Sequence, residues 1–316
     1  MAAQQLSAAA TPQTKGMAMA ALGVLILAPD TLMLRLIEAD AFTVAFWRNL
    51  LVATNILVLY AVVEGPGWFG KLRHIGPAGL LAAALFAVNQ MAFVFAVANT
   101  GVANVLLIVA TAPLFAALFS RLFLGEATAG RTWLAIFGAL AGMAVIFAGE
   151  AGLLVGTGGG AAVGPNPLLG NLCALAVAVA LGGAFTVVRR RREVTSLPCM
   201  VLAGYVSAFV MIWFASPFVM DSVSFGWQVT MGVTVACAFA LITTAPRFAP
   251  SPVVSLMLLL EAVLGPLLVW ALLTEVPSRW ALLGGAIVLT ALLTQGLGEL
   301  LAQRRRSGQS RAAVSR

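Results

Sequence analysis

The sequence predicts an all-α polytopic membrane protein with ten transmembrane helices in two inverted five-helix repeats. Three observations carry this prediction. First, 61% of the residues are hydrophobic and only 9% are charged, so a water-soluble chain of 316 residues could not bury its apolar surface. Second, apolar stretches of about 20 residues, long enough to cross a bilayer, follow one another along the chain. Third, one pattern recurs about 149 residues apart.

The recurring pattern is an apolar helix with a proline, a closing glutamate, and an Arg and a Trp that open the next apolar helix. Its two copies are residues 113–126 with Arg131 and Trp133, and residues 266–275 with Arg279 and Trp280. Membrane proteins built from two copies of one unit commonly hold a substrate site between the copies and work by moving one against the other. The repeat therefore indicates transport.

Turn residues separate the apolar stretches and set the predicted boundaries. The spans lie near residues 16–37, 41–63, 76–98, 101–124, 132–149, 168–188, 197–219, 226–246, 252–274 and 280–301. The first five-helix repeat is residues 16–150 and the second is residues 168–301. A glycine-rich linker, residues 151–167, joins the two repeats. Residues 1–15 form an N-terminal segment, and residues 302–316 form a basic tail.

The Lys and Arg residues predict the orientation of the spans. With both termini in the cytoplasm, fifteen of the eighteen Lys and Arg residues fall on the cytoplasmic side, and only Arg35, Arg48 and Arg279 do not. We therefore expect a multi-pass protein of the cell inner membrane, with the 151–167 linker outside. Since each repeat has an odd number of spans, the second copy enters the membrane inverted.

The net charge of +7 comes from short basic clusters between apolar spans, and this distribution argues against nucleic acid as a partner. Membrane lipid is the expected partner besides a small-molecule substrate. The run at residues 189–192 is four arginines, which either bind anionic lipid or only determine the topology.

Three short motifs occur in a particular order and spacing. They are Phe46-Trp47-Arg48 in span two, Leu124-Gly125-Glu126 at the end of span four, and Thr274-Glu275 at the end of span nine. Over roughly residues 16–300 the chain resembles the EamA-type drug/metabolite transporter superfamily. It departs from that family at Thr274, where Gly is common, and at Ala262, where Pro is common. The resemblance implies a carrier for small organic solutes, often an inner-membrane exporter of amino acids, metabolites or toxic amphiphiles.

An ionisable side chain within a span costs ~2.5–3.5 kcal/mol to insert, so each one is a functional candidate. Asp30 and Arg48 share a depth on adjacent spans, and they form either a structural ion pair or an outer gate. Glu261 lies near the middle of span nine, with no Lys or Arg predicted at its depth. Its carboxyl group either binds a substrate ammonium or exchanges a proton, or it stays neutral in a hydrogen bond to another helix.

Span three presents Phe86, Asn89, Gln90 and Phe93 on one helical face. Amides flanked by aromatic rings suit an amphipathic organic solute, because the rings offer stacking surface and the amides fix orientation. Further candidate contacts on other spans are Asn55, Tyr205, Trp213 and Thr243. Many polar residues in spans only join helices.

Prolines in spans four, eight and nine, at Pro113, Pro246 and Pro266, are candidate hinges for alternating access. Gly138 and Gly142 form a pair of small residues on span five, and such a pair serves either internal packing or a homodimer contact.

No catalytic or metal site is predicted, and no cofactor is expected. The chain has no GxxxxGK[ST] loop, a single histidine at His74 in a loop, and three cysteines without metal spacing. We therefore expect a secondary transporter rather than an enzyme. Its first expected role is export of amino acids or related metabolites by alternating access. An uptake carrier or exchanger for a vitamin-like or organic cationic solute is the alternative, and a non-transporting membrane scaffold is the alternative of another class.

Overall fold

In the hydrocarbon core of a membrane there is no water to bond the backbone N–H and C=O groups, so a chain can pair all of them only in helices or closed barrels. This chain folds into helices. The structure is a computed structural model. It describes residues 12–65, 69–70, 75–125, 130–151, 153, 164–190, 196–245, 248 and 257–314. The predicted hinge at Pro246, the motif residue Glu126, the loop residue His74 and most of the 151–167 linker lie outside the described residues.

Twelve helices make up the described part of the chain. They are α1 (Pro12–Leu27), α2 (Asp30–Leu36), α3 (Ala41–Glu64), α4 (Gly76–Asn99), α5 (Val102–Val109), α6 (Ala112–Leu124), α7 (Gly130–Glu150), α8 (Pro167–Arg190), α9 (Ser196–Met211), α10 (Ser222–Thr244), α11 (Glu261–Leu273) and α12 (Arg279–Val314).

Eight helical segments within the described residues are long and apolar enough to cross a membrane. They correspond to predicted spans one to six, eight and ten. Spans seven and nine correspond to the shorter apolar helices α9 and α11. The all-α, polytopic membrane class is thereby confirmed. The count of ten spans and the inverted repeat stay predictions.

Short turns divide the first and fourth spans. Ala28-Pro29 separates α1 from α2, and Ala110-Thr111 separates α5 from α6. A third turn, Leu259-Leu260, immediately precedes α11. The second and third turns are about 149 residues apart, which is the interval of the recurring pattern.

The two described prolines of the predicted hinges have different surroundings. Pro113 occupies the first turn of α6, where the N–H that proline lacks would have had no helical partner. Pro266 lies inside α11, and the helix continues through it. Only Pro113 therefore adjoins a break in its span.

Consecutive spans run in opposite directions, so alternate helix ends meet at the two ends of the bundle. We call the end at which α2 finishes the Arg35 end, and the opposite end, at which α1 begins, the Lys15 end. At the Arg35 end the Glu38 N–H donates to Ser224 Oγ at 3.0 Å, and the Ser216 N–H donates to Thr43 Oγ1 at 2.8 Å. Both bonds join the first half of the chain to the second.

The helices of one half pack mainly against helices of the other. Helix α4 packs on α8 and α1 on α10; α3 packs on α10 and α4 on α9. If each helix is exchanged for its counterpart in the other half, the α4–α8 contact becomes the α1–α10 contact, and the α3–α10 contact becomes the α4–α9 contact. Three further contacts, α3 with α9, α5 with α11 and α7 with α12, are unchanged by this exchange.

Helices α7 and α12 approach closely because glycines face each other. A Cβ at Gly142 would lie 2.6 Å from the carbonyl oxygen of Gly284, and a Cβ at Gly138 would lie 3.1 Å from Ala291 Cβ. Both glycines of the predicted small-residue pair thus serve packing within the chain.

Candidate functional site

A cavity of about 190 Å³ lies between the two halves of the bundle. Its described walls are mostly apolar, with phenylalanines from several helices. The polar side chains on these walls are those of Asp30, Arg48, Asn89, Gln90 and Glu261. All five were predicted site residues, and the fold brings them from α2, α3, α4 and α11 to one space.

Asp30 and Arg48 form a buried ion pair on the cavity wall. Arg48 Nη2 donates to Asp30 Oδ2 at 2.7 Å, and the guanidinium lies 5.2 Å from the ring centroid of Phe93. The local sequence sets this geometry. The turn at Pro29 makes Asp30 the first residue of α2, and Asp40 caps α3 by accepting hydrogen bonds from the N–H groups of Phe42 and Thr43. The gate role of the pair stays a prediction.

Some polar atoms of the cavity wall are buried and have no hydrogen-bond partner within the described protein. They are Asp30 Oδ1, Arg48 Nε and Gln90 Oε1. Buried polar atoms usually find a partner, and an orphan at a cavity is a place where a ligand or water binds. Two of the three are acceptors.

Glu261 is the first residue of α11, so its carboxyl group benefits from the positive end of the helix dipole. It lines the cavity within electrostatic range of both Asp30 and Arg48. The turn before α11 is what carries the side chain to this place in the middle of the bundle.

The cavity extends towards the Lys15 end. Its lining includes Met200 in the second turn of α9, Phe185 in the last two turns of α8 and Ile242 in the last turn of α10. Towards the Arg35 end the lining reaches Leu106, in the second turn of α5, and the more internal residues Arg48 and Phe93.

An ion pair and its hydrogen bonds join the two halves at the Arg35 end. Arg35 Nε lies 3.1 Å from Glu275 Oε2, and Arg35 Nη2 donates to the carbonyl oxygen of Thr100 at 2.7 Å. Glu275 Oε1 also accepts from the N–H of Val102, at the N-terminus of α5, at 2.8 Å. We call these four residues the Arg35–Glu275 latch.

The latch was not predicted from the sequence. Glu275 was recognised only as a motif residue and Arg35 only as one of three Lys and Arg residues away from the cytoplasmic side. The position of Arg35 away from the cytoplasmic side was the one feature of the sequence that could have indicated an ion pair. Its partner is far away in sequence, so only the tertiary structure identifies it.

Five predicted contact residues do not line this cavity. Phe86 is fully buried against Phe185, with ring centroids 6.2 Å apart. Asn55 Nδ2 donates to the carbonyl of Leu51, and Thr243 Oγ1 to that of Phe239, each within its own helix. The remaining two are Tyr205, whose hydroxyl lies 3.2 Å from Thr54 Oγ1, and Trp213, which is 74% exposed beyond the end of α9.

Trp213 lies outside α9 because this helix ends at Met211, earlier than the predicted span. For Asn55 and Thr243 the reason is that a short polar side chain in an apolar helix donates a hydrogen bond to a backbone carbonyl of the preceding turn.

Pro113 lines the cavity, whereas Pro266 lines a smaller cavity of about 20 Å³ beside Glu275. No cluster of His, Cys, Asp or Glu among the described residues could hold a metal ion.

Residues 14–148 match the model of the EamA-like transporter family. In all, 15 chains of known structure match this chain. One of them, from a crystal structure, is 18% identical and has a TM-score of 0.61; the match covers 92% of this chain and 99% of that one. At this identity the likeness shows the fold alone. Comparison with curated proteins gives no match.

Proposed function

We propose that the protein is a secondary transporter that moves small organic solutes by alternating access, and the match of residues 14–148 to the EamA-like transporter family supports this proposal. The observation that carries the proposal is the cavity between the halves, which gathers Asp30, Arg48, Asn89, Gln90 and Glu261. A mostly apolar space with a few converging polar groups is the usual form of a small-molecule site.

Two inverted five-helix repeats account for the packing. Exchange of the halves interchanges the α4–α8 and α1–α10 contacts, and it leaves the α3–α9 and α7–α12 contacts in place. The turns at residues 110–111 and 259–260 also recur at the interval of the repeat. Both turns adjoin the cavity, and broken helices at a repeat interface are a common site of substrate binding in transporters.

In the conformer that the structure shows, a substrate could enter the cavity from the cytoplasm. Lys15, Arg121 and Arg190 lie at the Lys15 end, and the positive-inside rule assigns that end to the cytoplasm. The cavity extends towards this end, while the Arg35–Glu275 latch holds the opposite end together. An exporter takes up its substrate in such a conformer. This conformer is compatible with export across the inner membrane, which we propose with both termini cytoplasmic; an uptake carrier would release its substrate from the same conformer.

The cavity chemistry supports a substrate with an ammonium group and an apolar body. Of the substrates predicted from the sequence, amino acids and organic cationic amines carry that group, whereas a vitamin-like solute need not. Glu261 offers a carboxyl group to it, and Phe93 and Phe185 offer apolar surface to the remainder. A scaffold without transport would not need these polar side chains in a cavity.

The test measures transport by purified protein reconstituted in liposomes. Radiolabelled phenylalanine and phenethylamine serve as probes, and the variants are Gln90→Ala and Glu261→Gln. We expect saturable transport of at least one probe, with a loss of about tenfold or more in each variant. Glu38→Gln makes the same change of charge at an exposed residue outside the cavity and should transport normally.

Equal transport by all four proteins would contradict the assignment of this cavity as the substrate site. Absence of transport, together with unchanged thermal stability in the presence of either probe, would favour the scaffold.

A further inference from the structure

The charges on the cavity wall do not balance. Of the described lining residues, Asp30, Arg48 and Glu261 are ionisable. Asp30 and Arg48 neutralise each other at 2.7 Å, which leaves Glu261 without a cation among these lining residues. The wall therefore carries one negative charge when Glu261 is ionised and none when Glu261 is protonated. In neither state does it carry a net positive charge.

Arg48 is poorly placed to bind a substrate carboxylate. Its Nη2 is held by Asp30, its guanidinium lies over the ring of Phe93, and the residue is 6% exposed. An anion would have to compete with a buried aspartate for the only cationic side chain on the described wall. Breaking a buried ion pair costs several kcal/mol because it leaves a charge without a partner.

The unpartnered atoms favour a ligand that donates hydrogen bonds. Asp30 Oδ1 and Gln90 Oε1 are buried acceptors without a partner in the described protein, and Arg48 Nε is the corresponding donor. An ammonium group has three donors and no acceptor, so it can satisfy acceptors that a carboxylate would repel. Phe93 and Phe185 provide apolar surface. The guanidinium of Arg48 already lies over the ring of Phe93, so Phe185 offers the ring face to a substrate cation.

Resting on the proposed function, we infer that the transported solute is an amphipathic amine with one positive charge and no carboxylate. Its ammonium group binds Glu261 and its apolar body lies against the phenylalanines. A zwitterionic amino acid would also place its ammonium at Glu261. Its carboxylate, however, would enter a low-dielectric space in which the one cation of the described lining, Arg48, is already paired with Asp30.

The same carboxyl group makes the cation and a proton compete. A proton that reaches the occupied site converts the glutamate carboxylate to the acid and releases the ammonium ion, so one positive charge replaces another. The helices that pack against α11 are α1, α2 and α5. Their charged residues are Lys15 on α1 and Asp30 and Arg35 on α2, and only Asp30 shares the cavity. Arg48 on α3 completes the local set.

The experiment compares four probes with one phenyl body and different head groups: phenethylamine, phenylalanine, 3-phenylpropanoate and 2-phenylethanol. Their affinities for the detergent-solubilised full chain follow from the rise in thermal stability with probe concentration. We expect phenethylamine to bind about tenfold or more tightly than the other three. Its affinity should fall about tenfold in Glu261→Gln and stay unchanged in Glu38→Gln.

The dependence on pH is a second measurement. Acidification should weaken phenethylamine binding to the wild-type protein, because protonation removes the negative charge of Glu261. Binding to Glu261→Gln should not respond to acidification in this way. A structural role of Glu261 alone would alter stability without removing the head-group preference.

Two results would overturn the inference. Tighter binding of phenylalanine or 3-phenylpropanoate would show that a carboxylate is accommodated, and the transport proposal would survive. Equal phenethylamine affinity in the wild type and Glu261→Gln would remove the carboxyl group as the recognition element. If transport in liposomes were also absent, the proposed function itself would fail.

Discussion

Thr274 has a positive φ of 56°, and no other non-glycine residue in the described part of the chain has a positive φ. It is the C-cap of α11, while Gly125 occupies the same place at the end of α6 with a φ of 68°. A β-branched residue in this left-handed region is strained by about 1–2 kcal/mol. The sequence already showed Thr274 as a departure from the family pattern, and the structure identifies what the departure costs.

Replacing Thr274 by Gly should relieve this strain. Glycine loses more backbone entropy on folding, which offsets part of the gain, so we expect the free energy of unfolding to rise by up to about 1 kcal/mol. Thermal unfolding in detergent measures the change. The reciprocal variant Gly125→Thr should lower stability, since no atom of the described residues lies within 4 Å of a Cβ at that site and the left-handed backbone conformation opposes the substitution. If Thr274→Gly were destabilising, the hydrogen bond from Thr274 Oγ1 to the Leu273 carbonyl would be the stronger effect.

At the scale of helices, the contact of α7 with α12 depends on glycine. The glycine pair on span five was predicted from its spacing, but the facing glycine, Gly284, lies in the other half of the chain. Spacing identifies a face of a helix that permits close approach. Which helix approaches that face is decided by the fold.

Gly142→Ala should destabilise the protein by about 1–3 kcal/mol, because the new methyl group would overlap the Gly284 carbonyl and Val288 and force α7 away from α12. Thermal unfolding of the purified protein tests this. Gly226→Ala is the matched control, since it adds the same methyl group to a membrane-spanning helix at a position with no neighbour within 4 Å. Equal effects of the two substitutions would refute the packing role of Gly142.

For the whole molecule, the latch and the cavity belong to one conformer. Arg35 and Glu275 come from opposite halves, and their side chains are only 17% and 11% exposed. Removing either charge leaves the other poorly solvated. The ends of the halves would then separate more readily at the Arg35 end, which is the movement that alternating access requires.

Thiol labelling measures this separation. In a background without Cys173, Cys199 and Cys237, a cysteine placed at Leu106 on the cavity wall should react slowly with a membrane-impermeant reagent added outside. Glu275→Gln should increase the rate by about tenfold, as expected for loss of a charge-assisted hydrogen bond in a mostly buried site. Glu38→Gln should leave the rate unchanged.

The double variant Arg35→Gln with Glu275→Gln should label no faster than the faster single variant, because residues of one network do not act additively. Unchanged labelling in Glu275→Gln would show that the latch does not hold the Arg35 end closed.

The amino-acid sequence by itself determined the membrane class, the place of most spans, and the polar side chains that line the cavity. These follow from local quantities: apolar length against bilayer thickness, turn residues, and the high cost of an ionisable group in a span. The resemblance to the EamA-type family was confirmed over residues 14–148 for the same reason, since its motifs are local.

Only the tertiary structure decided which polar residues share a space. Helical spacing placed Phe86, Asn89, Gln90 and Phe93 on one face, yet Phe86 is fully buried in the core and the other three line the cavity. Arg35 and Glu275 are 240 residues apart in the chain and meet at the Arg35 end. Ion pairs between residues so far apart in the chain depend on how helices of the two halves pack. The sequence of a single helix does not determine which helix packs beside it.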